Sequence, residues 1–76
     1  MEEIIITGLL SKISDQYVIT TDEGIEYILS AILPWEAVSA DYGSEEFASH
    51  LGKRLTVRGL SDGSTIYRAI ISEIIS

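Results

Sequence analysis

Apolar and polar positions alternate with a period of two over most of the chain, and the breaks fall at clusters of glycine, aspartate and serine. Glu3 to Ile13 is rich in isoleucine and leucine and interrupted by Gly8, a pattern that predicts a long first strand bent at the glycine. Ser14 and Asp15 supply a turn, after which the β-branched and aromatic run Gln16 to Thr21 reads as a second strand. Asp22, Glu23 and Gly24 form a three-residue hairpin loop with Gly24 in the left-handed position, leading into a third strand over Ile25 to Ile32.

Pro34 stops strand pairing, and the stretch from Trp35 to Leu51 carries helical periodicity in two phases. Trp35, Val38 and Tyr42 share one helical face, while Phe47, Ala48 and Leu51 lie nearly opposite. The reading is a turn-like segment followed by a short helix from Ser44 to Leu51. Ser44 is its N-cap, Glu45 and Glu46 sit where the helix dipole favours anions, and Gly52 stops it. Phe47 and Leu51 form a plug. Two more strands close the chain, Lys53 to Leu60 and Thr65 to Ile75, joined by the turn Ser61 to Ser64. Gly59 stands in the fourth strand in the same local context as Gly8 in the first, where a missing side chain permits tight coiling.

Seventy-six residues make one domain, 1–76, and the 46% apolar content is that of a folded globular chain. With no cysteine there is neither a disulfide framework nor a thiolate metal site, and the expected home is cytoplasmic. The longest apolar stretches are too short for a membrane span, so no membrane association is expected. Charge narrows the partners further: five Lys and Arg against twelve Asp and Glu give a net charge of −7, a field that repels phosphate polymers at long range. His50 is the only histidine and reads as a solvated helix residue, so no metal site and no cofactor are expected. Phosphate-cradling loops, nucleophile elbows and dinucleotide fingerprints do not occur, and the chain reads as a binding module and not an enzyme.

The bent, glycine-bearing first strand, the helix between strands three and four, and the lead Gly52-Lys53-Arg54-Leu55-Thr56-Val57-Arg58-Gly59 into strand four resemble the OB-fold superfamily, closest to its small nucleic-acid-binding members of the replication protein A and anticodon-binding types. The resemblance covers nearly the whole chain. It implies an all-β, five-stranded Greek-key barrel with a short α-helix between strands 3 and 4, and it implies binding of single-stranded nucleic acid across strands two and three and their bordering loops. The residues that would serve such a ligand are Tyr17, Tyr27 and Trp35 for stacking, with Lys12, Arg58 and Arg68 for phosphate. The loops concerned hold Asp15, Asp22, Glu23 and Asp62, a charge that favours the alternative of a protein partner.

Pairing strands two and three through the Asp22–Gly24 loop sets Tyr17 beside Leu29 and Ile19 beside Tyr27. That face is the more apolar and is assigned inward, leaving Gln16, Val18, Thr20, Glu26, Ile28 and Ser30 outside. A slip of one residue would turn both tyrosines outward as a stacking pair. Strict alternation along the last two strands sets Val57 beside Tyr67 inside and puts Thr56, Arg58, Ile66, Arg68 and Ile70 outside. Ile66 and Ile70 flanked by Arg58 and Arg68 would make an interaction strip with the composition of an interface core, or the arginines would simply offset carboxylates such as Glu73. Trp35 is either a partner anchor or a cap on the core.

Overall fold

The computed structural model describes residues 1–37 and 45–75. Their order is β1 (Glu2–Ile13), β2 (Gln16–Thr21), β3 (Glu26–Leu29), α1 (Glu45–Ala48), β4 (Arg54–Ser61) and β5 (Thr65–Ile74). The chain is all-β. Its five strands form one closed ring in the order β1-β2-β3-β5-β4, with β4 returning to β1. Every pairing is antiparallel except β3 with β5, which runs parallel over Ile28↔Thr65 and Leu29↔Ile66.

β1 makes this closure possible because one strand serves two partners. Its first half pairs with β4 and its second half with β2, and the handover is at Gly8, which lies opposite Leu55 on one side and Thr21 on the other. A Cβ built on Gly8 would come within 2.2 Å of the Thr20 carbonyl oxygen, so the strand can bend here only without a side chain. Gly59 is similarly crowded by Ile66 and the Tyr67 carbonyl. The bend at both glycines is as the sequence predicts.

The core is the inside of the ring: Leu10, Ile19, Leu29, Leu55, Val57, Ile66 and Ala69, with Phe47 of α1 closing one end. The β2–β3 register is the expected one, Tyr17↔Leu29 and Ile19↔Tyr27, and both tyrosines are half-buried against the core. Gly24 takes φ +87°, and the Thr21 amide donates to the Ile25 carbonyl at 2.8 Å across the three-residue loop.

β3 ends earlier than predicted, at Leu29, because the chain changes partner. The Ser30 amide donates to the Ile66 carbonyl at 2.9 Å, and the amides of Ala69 and Arg68 return to the carbonyls of Ser30 and Ile32 at 2.8 and 3.3 Å. The helix is also shorter than predicted and amounts to one turn. After Ala48 it tightens: the His50 amide donates to the Phe47 carbonyl, three residues back. Phe47 is a buried plug, whereas Leu51 is exposed. Ser44, Val38 and Tyr42 lie outside the described residues.

The largest departure from the sequence reading is in β5. Between Arg58↔Ile70 and Leu60↔Tyr67 two steps on β4 match three on β5, so β5 carries a bulge there, with Arg68 at φ +52°. One extra residue reverses the side-chain parity. Ile66, expected outside, is completely buried, and Ile70 beyond the bulge points outward and is 55% exposed. The hairpin also starts in a register other than the expected one, Ser61↔Ile66, so Tyr67, expected inside beside Val57, lies beside Leu60 with its hydroxyl donating to Asp62 Oδ2 at 3.4 Å, and the bulge then brings Val57 opposite Ile71. No helix among the described residues is long and apolar enough to cross a membrane.

Two substitution experiments check this packing. Gly8→Ala should lower the melting temperature by about 10 °C or more, since overpacking against backbone costs roughly 2 kcal/mol and each kcal/mol moves a domain of this size by about 5 °C; an unchanged melting curve would contradict the crowding at the bend. Ile66→Ala should cost about 2–5 kcal/mol in urea denaturation, and Ile70→Ala less than about 0.5 kcal/mol. Equal costs at the two positions would mean that the bulge does not exist.

Candidate functional site

Two outer surfaces of the ring compete as the place where a partner would dock. The first is the outside of β2 and β3 with its bordering loops, the region that the OB resemblance points to. Glu26 and Gln16 are exposed on it, but Val18, expected outside, is buried outside the central cluster with Ser11 and Ile28 as its cross-strand partners. The tyrosines are turned the other way. The Tyr17 ring packs against Phe47 at a centroid separation of 5.7 Å and an angle of 57°, and the Lys12 ammonium lies 5.4 Å from its centroid. That is within cation–π range, so Lys12 and Tyr17 already satisfy each other.

The loop between β4 and β5 owes its shape to Asp62. Its Oδ1 accepts the amides of Ser64 and Thr65 at 3.0 and 2.9 Å, and the Gly63 amide donates to Ser61 Oγ at 3.0 Å. The amides of Ser64 and Thr65 favour the ionised carboxylate and hold its pKa below the ordinary aspartate value. Beside this loop a concavity of about 570 Å³ opens between Met1, Glu2, Ile4, Tyr27 and Asp62. Its carboxylates disfavour phosphate.

Cations near these loops are committed elsewhere. Arg54 is paired with Asp22, and Arg68 Nε lies 3.8 Å from Glu36 Oε1, which also accepts the Leu33 amide at 2.9 Å. Arg68 therefore pairs with Glu36 and not with Glu73. Trp35 is 69% exposed and does not cap the core. His50 donates from Nδ1 to the Glu46 carbonyl at 2.8 Å, and among the described residues no group of three or more His, Cys, Asp and Glu could hold a metal ion.

The second surface is the outside of β1, β4 and β5. The two registers place Ile5, Arg58 and Ile70 side by side in one row, and Thr7, Thr56 and Glu73 in the next. Thr7 and Thr56 share a hydroxyl–hydroxyl hydrogen bond of 2.8 Å. Ile5 is 65% exposed and, with Ile70, flanks Arg58, which makes no ion pair among the described residues. Of the expected strip, Arg58 and Ile70 share this face, whereas Ile66 is buried and Arg68 is paired with Glu36, and Ile5 stands on the other side of Arg58. The alternation Ile4, Ile6, Gly8, Leu10 inward and Ile5, Thr7, Leu9 outward carried the signal for Ile5, hidden by three consecutive isoleucines.

A scan against protein-family models finds no match, and searches of curated proteins and of solved structures find none either.

The hydrogen bonds on Asp62 have a pH consequence. A depressed folded-state pKa contributes stability that is present above the unfolded-state pKa and is lost as the pH falls through the folded-state value. Asp62→Asn should therefore be less stable than the parent at neutral pH, with the gap closing in acid. A side-chain carboxyl titration followed by NMR should place the Asp62 midpoint below the ordinary aspartate value; a midpoint at or above that value would show that the loop amides do not stabilise the anion.

Proposed function

We propose that this chain is a non-catalytic binding module of the OB type that works by contacting protein through the outer face of β1, β4 and β5. The OB reading is supported by the five-stranded closed order, its single parallel contact between β3 and β5, and the helical turn between β3 and β4. The observation that carries the protein reading is Arg58 standing between the exposed Ile5 and Ile70 on a rigid sheet. An arginine with apolar neighbours has the composition of an interface core, whereas scattered single isoleucines would not. The absence of cysteine goes with a cytoplasmic setting.

Single-stranded nucleic acid is the second reading. It draws on the OB resemblance and on the exposed Trp35, a side chain on which a base could stack. Against it stand the net charge of −7, the inward Tyr17 and Tyr27, and the pairing of Arg54 and Arg68 with carboxylates.

The two readings separate in one set of measurements. Arg58→Glu combined with Ile70→Asp should remove association of the domain with protein, in pull-down and in sedimentation, while its circular dichroism melt stays that of the parent. A fluorescent mixed-sequence single strand titrated at low salt should remain unbound at high micromolar protein. Salt-sensitive binding of that strand, together with protein association untouched by the double substitution, would reverse the choice.

A further inference from the structure

We propose that the partner on the β1–β4–β5 face is a second copy of this chain, docked about a two-fold axis that sets Arg58 of each copy against Glu73 of the other. The inference rests on the protein-contact reading of that face and adds the identity of the partner. In the grid of outward side chains, Arg58 sits on β4 in the row of Ile5 and Ile70, and Glu73 sits on β5 in the neighbouring row, three residues beyond Ile70 because the pairing shifts a second time between Thr56 and Val57. The two are diagonal neighbours of opposite charge, both exposed, and neither makes an ion pair among the described residues.

A two-fold axis lying in the contact plane, through the midpoint of that diagonal and perpendicular to it, exchanges the two positions between copies. Two Arg58–Glu73 contacts form together. The other diagonal joins Ile70 and Thr56 and runs near the axis, so Ile70 meets its own counterpart at one end of the contact and Thr56 its own at the other. The result is a charged pair on each side of an axis that sets Ile70 against Ile70, a self-complementary patch of the kind an isologous dimer requires. The strands of the two copies cross steeply, in the manner of orthogonal sheet packing.

Charge selects this face over the rest of the surface. The chain carries −7, and like-charged copies repel. The two central rows of the contact hold one Arg and one Glu and so contribute no net charge, whereas the loops between β1 and β2, β2 and β3, and β4 and β5 hold Asp15, Asp22, Glu23 and Asp62. The size of the face sets the strength. Three strands spaced about 4.8 Å apart and seven residues rising about 3.3 Å each give a flat footprint of roughly 300 Å². That is well below the roughly 800 Å² per partner of a standard interface, so the dimer is weak and concentration-dependent.

Sedimentation equilibrium of the full chain from roughly ten micromolar to one millimolar tests this, a range suited to a contact of that size. The weight-average mass should rise from 8.4 kDa toward twice that value. Arg58→Glu alone and Glu73→Arg alone should each weaken dimerisation at least about tenfold, since each creates like-charge contacts. The double variant Arg58→Glu with Glu73→Arg should restore it, and Ile70→Asp should abolish it. All these side chains are exposed, and a thermal melt of each variant confirms that it is folded. A parent that stays monomeric across the range overturns the proposal, as does a double variant no stronger than the single ones. If the parent is monomeric but Arg58→Glu with Ile70→Asp still loses a bound protein, the face remains a contact surface and only the second copy is wrong; if neither association responds, both readings fall.

Discussion

Two backbones pass within touching distance at Gly8, and the closure of the ring depends on that approach. β1 must lie against β4 over its first half and β2 over its second, and the change of partner needs a residue hydrogen-bonded among neighbours on both sides with no Cβ to hold them apart. A closed ring has few free edges to protect, which suits a chain of this length with no disulfide to brace it. Its interior is then small enough that seven strand side chains and the Phe47 ring fill it. The single turn of α1 therefore serves mainly to deliver one aromatic side chain to the open end.

Closure also decides what is left for binding. The inward face takes Tyr17 and Tyr27, the two residues that would otherwise offer stacking surfaces, because Ile19 and Leu29 beside them must be buried. Ion pairing uses Arg54 and Arg68 to fasten a loop and the segment after β3. Arg58 makes no such pair among the described residues. It rises from the middle strand of a three-stranded face between Ile5 and Ile70, and the proposed contact draws on this combination more than on the overall charge.

The strands, the hairpin register of β2 with β3 and the bends at Gly8 and Gly59 were legible in the sequence because each rests on local chemistry: β-branched runs, turn residues and a glycine where the backbone coils. The end of β3 was not legible, because Ser30 to Ile32 keep an extended pattern while exchanging β2 for β5, and periodicity does not record which strand is the neighbour. The tightening after Ala48 was hidden for a similar reason, since Leu51 fits an ideal helical spacing that the chain abandons. The placement of Ile66 failed through one assumption, unbroken alternation in β5. Arg68 in a left-handed conformation has no compositional mark, as glycine or asparagine would have given. Of the four residues read as one outer strip, Arg58 and Ile70 do share a face with Ile5, which three consecutive isoleucines concealed, while Ile66 lies in the core.

That bulge makes the second half of β5 behave like a phrase read in a shifted frame. Ile66 and Ala69 face the interior before and after it, three residues apart, where unbroken pleating would have kept the interval at two or four. Deleting the extra residue there would match two steps on β5 to two on β4 and leave Ile66 facing inward and Ile70 outward. The bulge is thus a spare residue, one whose loss would keep the outer row outside and the core inside, whereas a deletion beyond it would invert the rest of the strand unless the bulge absorbed it.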